Sequence, residues 1–128
     1  MELFDYCDGR GNDIARATRG LQKKERAKLA RKFIALETNG QDELYPGLVS
    51  GPLRGARHIY EIKINGPVAV RPLLCKGPQN MNQEYTILMI AQERDNQWVP
   101  RNAPQIAENR RQEIITNPQR RVRHERIA

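Results

Sequence analysis

The stretch "YTILMIA", residues 85–91, is apolar at almost every position and carries no charged side chain. A strand that faces solvent on one side alternates apolar and polar residues, whereas a strand buried on both faces shows a continuous apolar run. Residues 85–91 therefore predict the central strand of a sheet, covered on both faces. We expect the rest of the fold to be arranged around this strand.

The segment before the central strand predicts a hairpin. In "HIYEIKI", residues 58–64, alternate side chains point to opposite faces, so that Glu61 and Lys63 share one face and the apolar residues between them share the other. "NGP", residues 65–67, indicates a tight turn, and "VAVRPLLC", residues 68–75, continues as a second strand. The sequence thus predicts an antiparallel sheet of at least three strands.

Helical patterns lie on both sides of this sheet region. Asp13 is suited to cap a first helix that Gly20 interrupts, and residues 22–37 then repeat an apolar stripe at helical spacing. A third helix is predicted over residues 103–117, where Pro118 ends it. The order predicts an α+β fold in which an N-terminal helical hairpin packs on a small, mostly antiparallel sheet with a C-terminal helix.

The length of 128 residues fits one domain. We predict a domain over residues 1–117 and a basic C-terminal tail over residues 118–128. Cys7 and Cys75 lack the spacing of a zinc site or a disulfide framework. The chain contains no apolar run long enough to span a bilayer and no export signal, so we expect a cytoplasmic protein without a membrane partner.

The positive charge is segregated along the chain. The net charge is +7, with +5 in residues 13–37 and +4 in residues 101–128, whereas residues 77–100 carry −2. A basic surface attracts phosphates and releases their counterions, which is typical of proteins that bind nucleic acid. Docking to an acidic protein partner is the alternative.

The sequence lacks most familiar catalytic patterns. It has no phosphate-binding glycine loop and no serine triad, and His58 and His124 have no neighbouring ligands that indicate a metal site. Arginine and lysine chemistry remains, because cationic groups stabilise the charge that develops when a ribose 2′-OH attacks its own phosphate. We expect Lys63, Arg71, Arg94 and Arg101 to converge on one concave face of the sheet.

The last segment, "NPQRRVRHERIA", residues 117–128, carries Arg120, Arg121, Arg123 and His124. Such a segment is either a solvated, frayed tail or a set of phosphate contacts. Its composition does not choose between these interpretations.

The order of motifs resembles the RelE/ParE superfamily of bacterial and phage toxins, and specifically its HigB-like, phage-derived branch. The resemblance lies in "LRGARHIYEIKINGPVAV" at residues 53–70, the buried strand, a polar segment ending at Pro100, and a helix carrying Ala107, Arg110 and Arg111. It also extends to "ELFDYCDGRGNDIARATRGL" and "ARKFIALETNG", which are similar to the N-terminal strand and helices of that branch. The likeness covers nearly residues 2–115.

The resemblance implies an RNase-like fold that cleaves mRNA on the ribosome without a metal or other cofactor, restrained by a helix-turn-helix antitoxin. It places Lys63 at a basic family position and Arg94 in a basic pair, whereas Ala69 and Glu93 depart from the pattern. Arg71 is the predicted substitute for the missing arginine. The predicted catalytic residues are Lys63, Arg71, Arg94 and His124, and the predicted nucleic-acid-binding residues are Arg57, Lys76, Arg101, Arg120, Arg121 and Arg123.

Two other functions stay open at this point. The chain is alternatively a catalytically inactive, phage-derived basic module that binds nucleic acid or a host protein. The gyrase-inhibiting mode of the superfamily is a further alternative, which no feature of the sequence favours.

Overall fold

The computed structural model describes residues 1–39 and 47–126, and only the backbone of Asn39. In chain order, its elements are β1 (Glu2–Asp8), β2 (Gly11–Asn12), α1 (Asp13–Arg19), α2 (Lys23–Asn39), β3 (Tyr60–Glu61), β4 (Ala69–Lys76), β5 (Glu84–Arg94), β6 (Gln97–Val99), α3 (Ala103–Thr116), a 3₁₀ turn (Pro118–Arg120) and β7 (Arg121–Arg123). The class is α+β, as the sequence predicted.

β5 lies in the middle of the seven-stranded sheet. It pairs with β4 in antiparallel register and with β1 in parallel register, while β6 folds back on its C-terminal end. β3 flanks β4, and β2 and β7 flank β1. Residues 84–89 are all buried, so the prediction of a central strand covered on both faces is confirmed.

The helices lie on opposite faces of the sheet, as two neighbouring residues of β1 show. The carboxylate of Asp5 points to the face where His124 packs edge-on against Phe33 of α2, with ring centroids 5.0 Å apart. Tyr6 points to the other face, where its hydroxyl donates to Glu113 of α3 at 2.6 Å. Successive side chains of a strand alternate in direction, so α2 and α3 sandwich the sheet.

The predicted arrangement at the N-terminus is wrong, because the chain begins with strand β1 and the two helices follow it. The family resemblance included an N-terminal strand, but the residue pattern alone does not indicate β1, because it contains Asp5, a charged residue that is fully buried. Burial of Asp5 depends on donors distant in sequence, including His124 and the backbone N–H of Glu125, which no local pattern reveals. The predicted cap of the first helix is also corrected: Asn12 accepts from the N–H of Ala15 at 2.9 Å.

The C-terminal helix is confirmed, since α3 spans Ala103–Thr116. It is anchored by Arg110, whose Nη1 atom donates to Asp13 of α1 at 2.7 Å and to the carbonyl of Leu88 at 2.8 Å. Leu88 is the residue that the β4–β5 register skips at a bulge. Arg110 thereby gives the carbonyl of Leu88 the hydrogen-bond donor that a regular β4–β5 pairing would have supplied. The same side chain connects α3 to both β5 and α1.

The segment predicted as a tail contributes a strand. Residues Arg121–Arg123 pair with Phe4, Asp5 and Tyr6 of β1, and the N–H of His124 donates to the carbonyl of Leu3 at 2.9 Å. The described part of the C-terminal segment is therefore built into the edge of the sheet.

In the described ranges, we find no helix with the length and apolar character needed to cross a bilayer.

We predict that Asp5 anchors the C-terminal strand. Its carboxylate accepts from Asn12, from the N–H of Glu125 and, at 2.8 Å, from Nδ1 of His124. Asp5→Ala leaves these buried donors without their acceptor and is expected to lower the free energy of unfolding by about 3–5 kcal/mol in urea denaturation.

The matched control is Glu2→Ala on the same strand. Glu2 pairs with Arg123 at an exposed position, so its loss is expected to change the free energy of unfolding by less than about 1 kcal/mol. Equal, small losses in the two variants would contradict the anchoring role of Asp5.

Candidate functional site

Arg71 is buried in the middle of β4, where its guanidinium joins β4 to β5 and to the segment that follows β3. Nε pairs with Glu93 of β5 at 3.1 Å, and Nη1 donates to the carbonyls of Val70 and Ile64 at 3.0 and 3.2 Å. Nη2 donates to Oδ1 of Asn65 at 3.3 Å. These acceptors all belong to the protein itself, so Arg71 is held rigidly by its own chain.

Four charged residues share this face of the sheet. Ala69 and Glu93 are register partners, which places Glu93 on the same face as Arg71 two residues along β4. Glu61 is the register partner of Leu73, which lies on that face too. Lys63 follows Glu61 by two residues, and its Nζ lies 3.7 Å from Glu61 Oε1. We call Glu61, Lys63, Arg71 and Glu93 the charged cluster.

Glu61 is buried, and its backbone is paired on both sides. β4 pairs with it on one side, and on the other side Glu61 and Ser50 exchange two backbone hydrogen bonds of 2.8 Å. Burial raises the pKa of the Glu61 carboxyl above its usual value, and the negative charge of Glu93 adds to this effect. Lys63 and Arg71 act in the opposite direction and lower the pKa, but burial dominates.

The charged cluster combines three chemical properties at one place. Glu61 is a carboxyl that holds its proton more tightly than an exposed acid, which makes it a better general base when ionised. Lys63 is an exposed ammonium beside it, with 56% of its side chain accessible. Arg71 is a fixed cation on the same face of the sheet as Glu61 and Lys63. A carboxyl with a displaced pKa between two cations is an arrangement suited to proton transfer next to an anionic substrate.

Lys63 also borders a basic hollow of about 230 Å³ formed with α2. Lys28, Arg31 and Lys32 line it together with Asn65 and Ile64. Lys28 is fixed there, because its Nζ donates to the carbonyl of Asn65 at 2.8 Å. Cations from a helix and a strand that are distant in sequence therefore meet next to the charged cluster.

Arg94 and Arg101 meet at the β5–β6 hairpin. Both line a hollow of about 300 Å³ that also contains Trp98 and Pro100. The hairpin folds back from the end of β5 that carries Glu93, so this hollow adjoins the charged cluster. The structure places Lys63 and Arg71 on one face, whereas Arg94 and Arg101 line the hollow at the hairpin.

Arg57 and Lys76 lie at other points of the sheet. Arg57 lines a hollow of about 460 Å³ between the loop before β3 and α3, together with His58, Glu108 and Arg111. Arg111 lowers the pKa of Glu108 by hydrogen bonding to it. Lys76 lies over the ring of Tyr60, with Nζ 5.2 Å from the ring centroid.

His124 lies apart from the charged cluster. Its Nδ1 atom contacts Asp5 of β1, on the strand to which β7 is paired. β7 and β3 are at opposite edges of the sheet, separated by four strand spacings. Those spacings amount to about 19 Å, which is too far for His124 and Lys63 to contact the same phosphate. His124 is therefore not part of the candidate site.

The terminal arginines are engaged by the protein itself. Arg121 pairs with Glu84 at 3.0 Å and stacks over the ring of Phe4, and Arg123 pairs with Glu2 at 2.9 Å. Arg120 lies near Tyr6, whose pKa rises to about 12 through burial and its hydrogen bond to Glu113 while Arg120 opposes the rise. The structure places these three arginines along the β1 edge, away from Lys63.

Sequence reasoning missed two members of the charged cluster. Glu61 was assigned to the same strand face as Lys63, but its burial depends on the bridge to Ser50, which the pattern does not show. Glu93 was noted only as a departure from a family pattern. Its partner Arg71 lies 22 residues earlier, and the pairing follows from the β4–β5 register.

We predict that Glu61 makes stability depend on pH. The folded-state pKa is raised above the ordinary value of 4.5, so protonation of Glu61 stabilises the fold fully below about pH 4.5, and this contribution is lost as pH rises through the folded-state pKa. Glu61→Gln removes the titrating group. The free energy of unfolding of this variant is therefore expected to increase relative to that of wild type from about pH 4 to about pH 7. Urea denaturation at each pH measures this difference.

Glu2→Gln serves as the control, because Glu2 is an exposed acid on β1. Its free energy of unfolding is expected to change with pH in the same way as that of wild type. A Glu61→Gln curve that falls relative to wild type as pH rises would contradict the raised pKa.

Comparison with family models, with curated proteins and with solved structures gave no match to this chain. Among residues 1–39 and 47–126, no group of three or more His, Cys, Asp or Glu side chains is placed to hold a metal ion. Cys75 is buried, which raises the pKa of its thiol to about 12. The proposed function is therefore based on the charged cluster.

Proposed function

We propose that this chain is the toxin of a toxin-antitoxin pair and cuts mRNA on the ribosome in the cytoplasm without a metal ion. The observation that carries the proposal is the buried carboxyl of Glu61, with a raised pKa, 3.7 Å from the exposed ammonium of Lys63. Arg71 supplies a second positive charge that faces the same carboxyl. This set provides both a proton acceptor and charge stabilisation for phosphodiester cleavage.

The proposed reaction uses the RNA's own 2′-OH as nucleophile. Ionised Glu61 accepts the 2′-OH proton while that oxygen forms a bond to the adjacent phosphorus in line with the leaving O5′. The P–O5′ bond breaks, and O5′ takes a proton from water, so that the products are a 2′,3′-cyclic phosphate and a 5′-hydroxyl. Lys63 neutralises the negative charge that develops on the non-bridging oxygens. Arg71 acts as a positioning residue, since its contacts keep Glu93 and the strands in register.

The toxin assignment and its helix-turn-helix antitoxin rest on the resemblance to the RelE/ParE superfamily. Two features of the structure support extending the family's function to this chain. The segment "LRGARHIYEIKINGPVAV", residues 53–70, contains β3 with Glu61, then Lys63, and leads into β4. The departure at Glu93 is matched by Arg71, because these two residues form an ion pair.

A second function is favoured by one observation. The guanidinium of Arg71 is engaged by Glu93, Asn65 and two backbone carbonyls, which leaves Lys63 as the exposed cation of the charged cluster. A basic module that binds RNA or a host protein without cleaving it would retain such an internally paired arginine. Its binding is expected to fall steeply with salt and to yield no cleaved product.

We predict that induction of the wild-type protein in a bacterial host arrests growth and creates new mRNA 5′ ends within translated regions. Glu61→Gln removes the proton acceptor and is expected to lower cleavage by about 10²–10⁴-fold, a range typical of general acid–base groups. Lys63→Met is expected to lower cleavage as well, because the developing charge loses its ammonium. Mapping of mRNA 5′ ends after induction measures both effects.

Lys24→Met is the matched control, since Lys24 is an exposed lysine of α2 outside the charged cluster and its loss changes the net charge equally. This variant is expected to cleave as wild type does. Normal growth with intact transcripts on induction of soluble, folded wild-type protein would reject the nuclease and leave the binding module.

A further inference from the structure

The hairpin between β5 and β6 has a tight two-residue turn. Asp95 and Asn96 form it with φ of 53° and 60°. Two successive positive φ values are typical of a type I′ turn, whose twist matches that of the strands, and Asp and Asn tolerate this conformation. The turn fixes β6 against the end of β5 and so fixes the position of its side chains.

Trp98 lies on β6 as the register partner of Glu93. Register partners point to the same face of a sheet, so Trp98 is on the face of Arg71 and the charged cluster. The indole is half-buried and packs against the hydrophobic core on one side. Trp98 is therefore anchored by the core while part of its ring remains accessible on the candidate catalytic face.

Two arginines line a hollow together with Trp98. Arg94 and Arg101 are exposed and line the same hollow of about 300 Å³, together with Pro100. The carboxylate of Asp95 also borders this hollow, so its lining has two cations and one anion. An accessible aromatic ring beside cations is the combination by which proteins hold single-stranded nucleic acid, because bases stack on the ring and phosphates bind to the cations.

We propose that Trp98 stacks on an unpaired RNA base, with Arg94 and Arg101 binding the phosphates on either side of that nucleotide. The inference rests on the proposed function for the presence of RNA, and it adds a base-stacking role for Trp98. β6 and β3 are three strand spacings apart, about 14 Å, so the stacked base belongs to a nucleotide that flanks the cleaved linkage.

Duplex RNA does not fit this surface in the same way. The faces of paired bases are covered by their neighbours in the stack, whereas an unpaired base offers its face to an aromatic side chain. The hairpin hollow thus selects extended RNA, such as mRNA held open for decoding, over a helix.

Trp98 allows a direct test because it is the single tryptophan of the chain. Glu61→Gln protein, which keeps the hairpin but not the proton acceptor, is titrated with an unstructured oligoribonucleotide of about 12 uridines at low salt. Indole emission is expected to be quenched in a saturable manner, and a fully paired RNA of equal length is expected to cause much less quenching.

Variants separate stacking from charge, with affinity measured by fluorescence polarisation of a labelled oligonucleotide. Trp98→Leu is expected to weaken binding about tenfold, and Trp98→Phe to restore most of that loss, because stacking on an aromatic ring contributes strongly per base. Arg94→Gln and Arg101→Gln are each expected to reduce the slope of log affinity against log salt by about 0.7. Lys24→Gln, on α2, is the control and is expected to reduce this slope by less.

The outcomes distinguish this inference from the proposed nuclease. Binding without a change in indole emission, or Trp98→Leu affinity equal to wild type, overturns the stacking role whether or not the protein cleaves RNA. The absence of any binding overturns it as well. Quenching and salt dependence as expected, in a wild-type protein that leaves mRNA intact, support the stacking role and reject the nuclease.

Discussion

The ion pair between Arg71 and Glu93 is the contact on which the candidate site depends. It joins β4 to β5, while the same guanidinium bonds the carbonyl of Ile64 and the side chain of Asn65 in the turn that leads from β3. β4, β5 and the segment between β3 and β4 are thereby joined on the face that bears Glu61 and Lys63. A buried arginine costs considerable desolvation, which is offset here because its donors meet a carboxylate and several oxygen acceptors.

The C-terminal segment has a different role from the one that its composition suggests. Its arginines pair with Glu84 and Glu2, and its histidine rests on the buried carboxylate of Asp5. These contacts attach β7 to β1 at one edge of the sheet, whereas Lys63 lies by the opposite edge. The positive charge of the chain is thus divided between a structural edge and the face on which RNA is proposed to lie.

Local patterns predicted the parts of the fold that local forces determine. The apolar run at residues 85–91 identified the central strand, and the alternation at residues 58–64 placed Glu61 and Lys63 on one face. The residue patterns did not reveal β7, or β1, which only the family resemblance included, because the pairing of these strands joins residues more than 100 positions apart and buries a charged side chain. The ion pair of Arg71 with Glu93 likewise required the strand register, including its bulge.

The chemistry of the RNA ends tests the central claim most directly. Purified protein is added to a translating extract with a labelled mRNA, and the new 5′ ends are examined for a hydroxyl or a phosphate. Attack by the 2′-OH, with Glu61 as proton acceptor and Lys63 as counter-charge, predicts 5′-hydroxyl ends and matching 2′,3′-cyclic phosphates. Fragments with 5′-phosphate ends, or mRNA that stays intact, would contradict a charged cluster that cleaves RNA in this way.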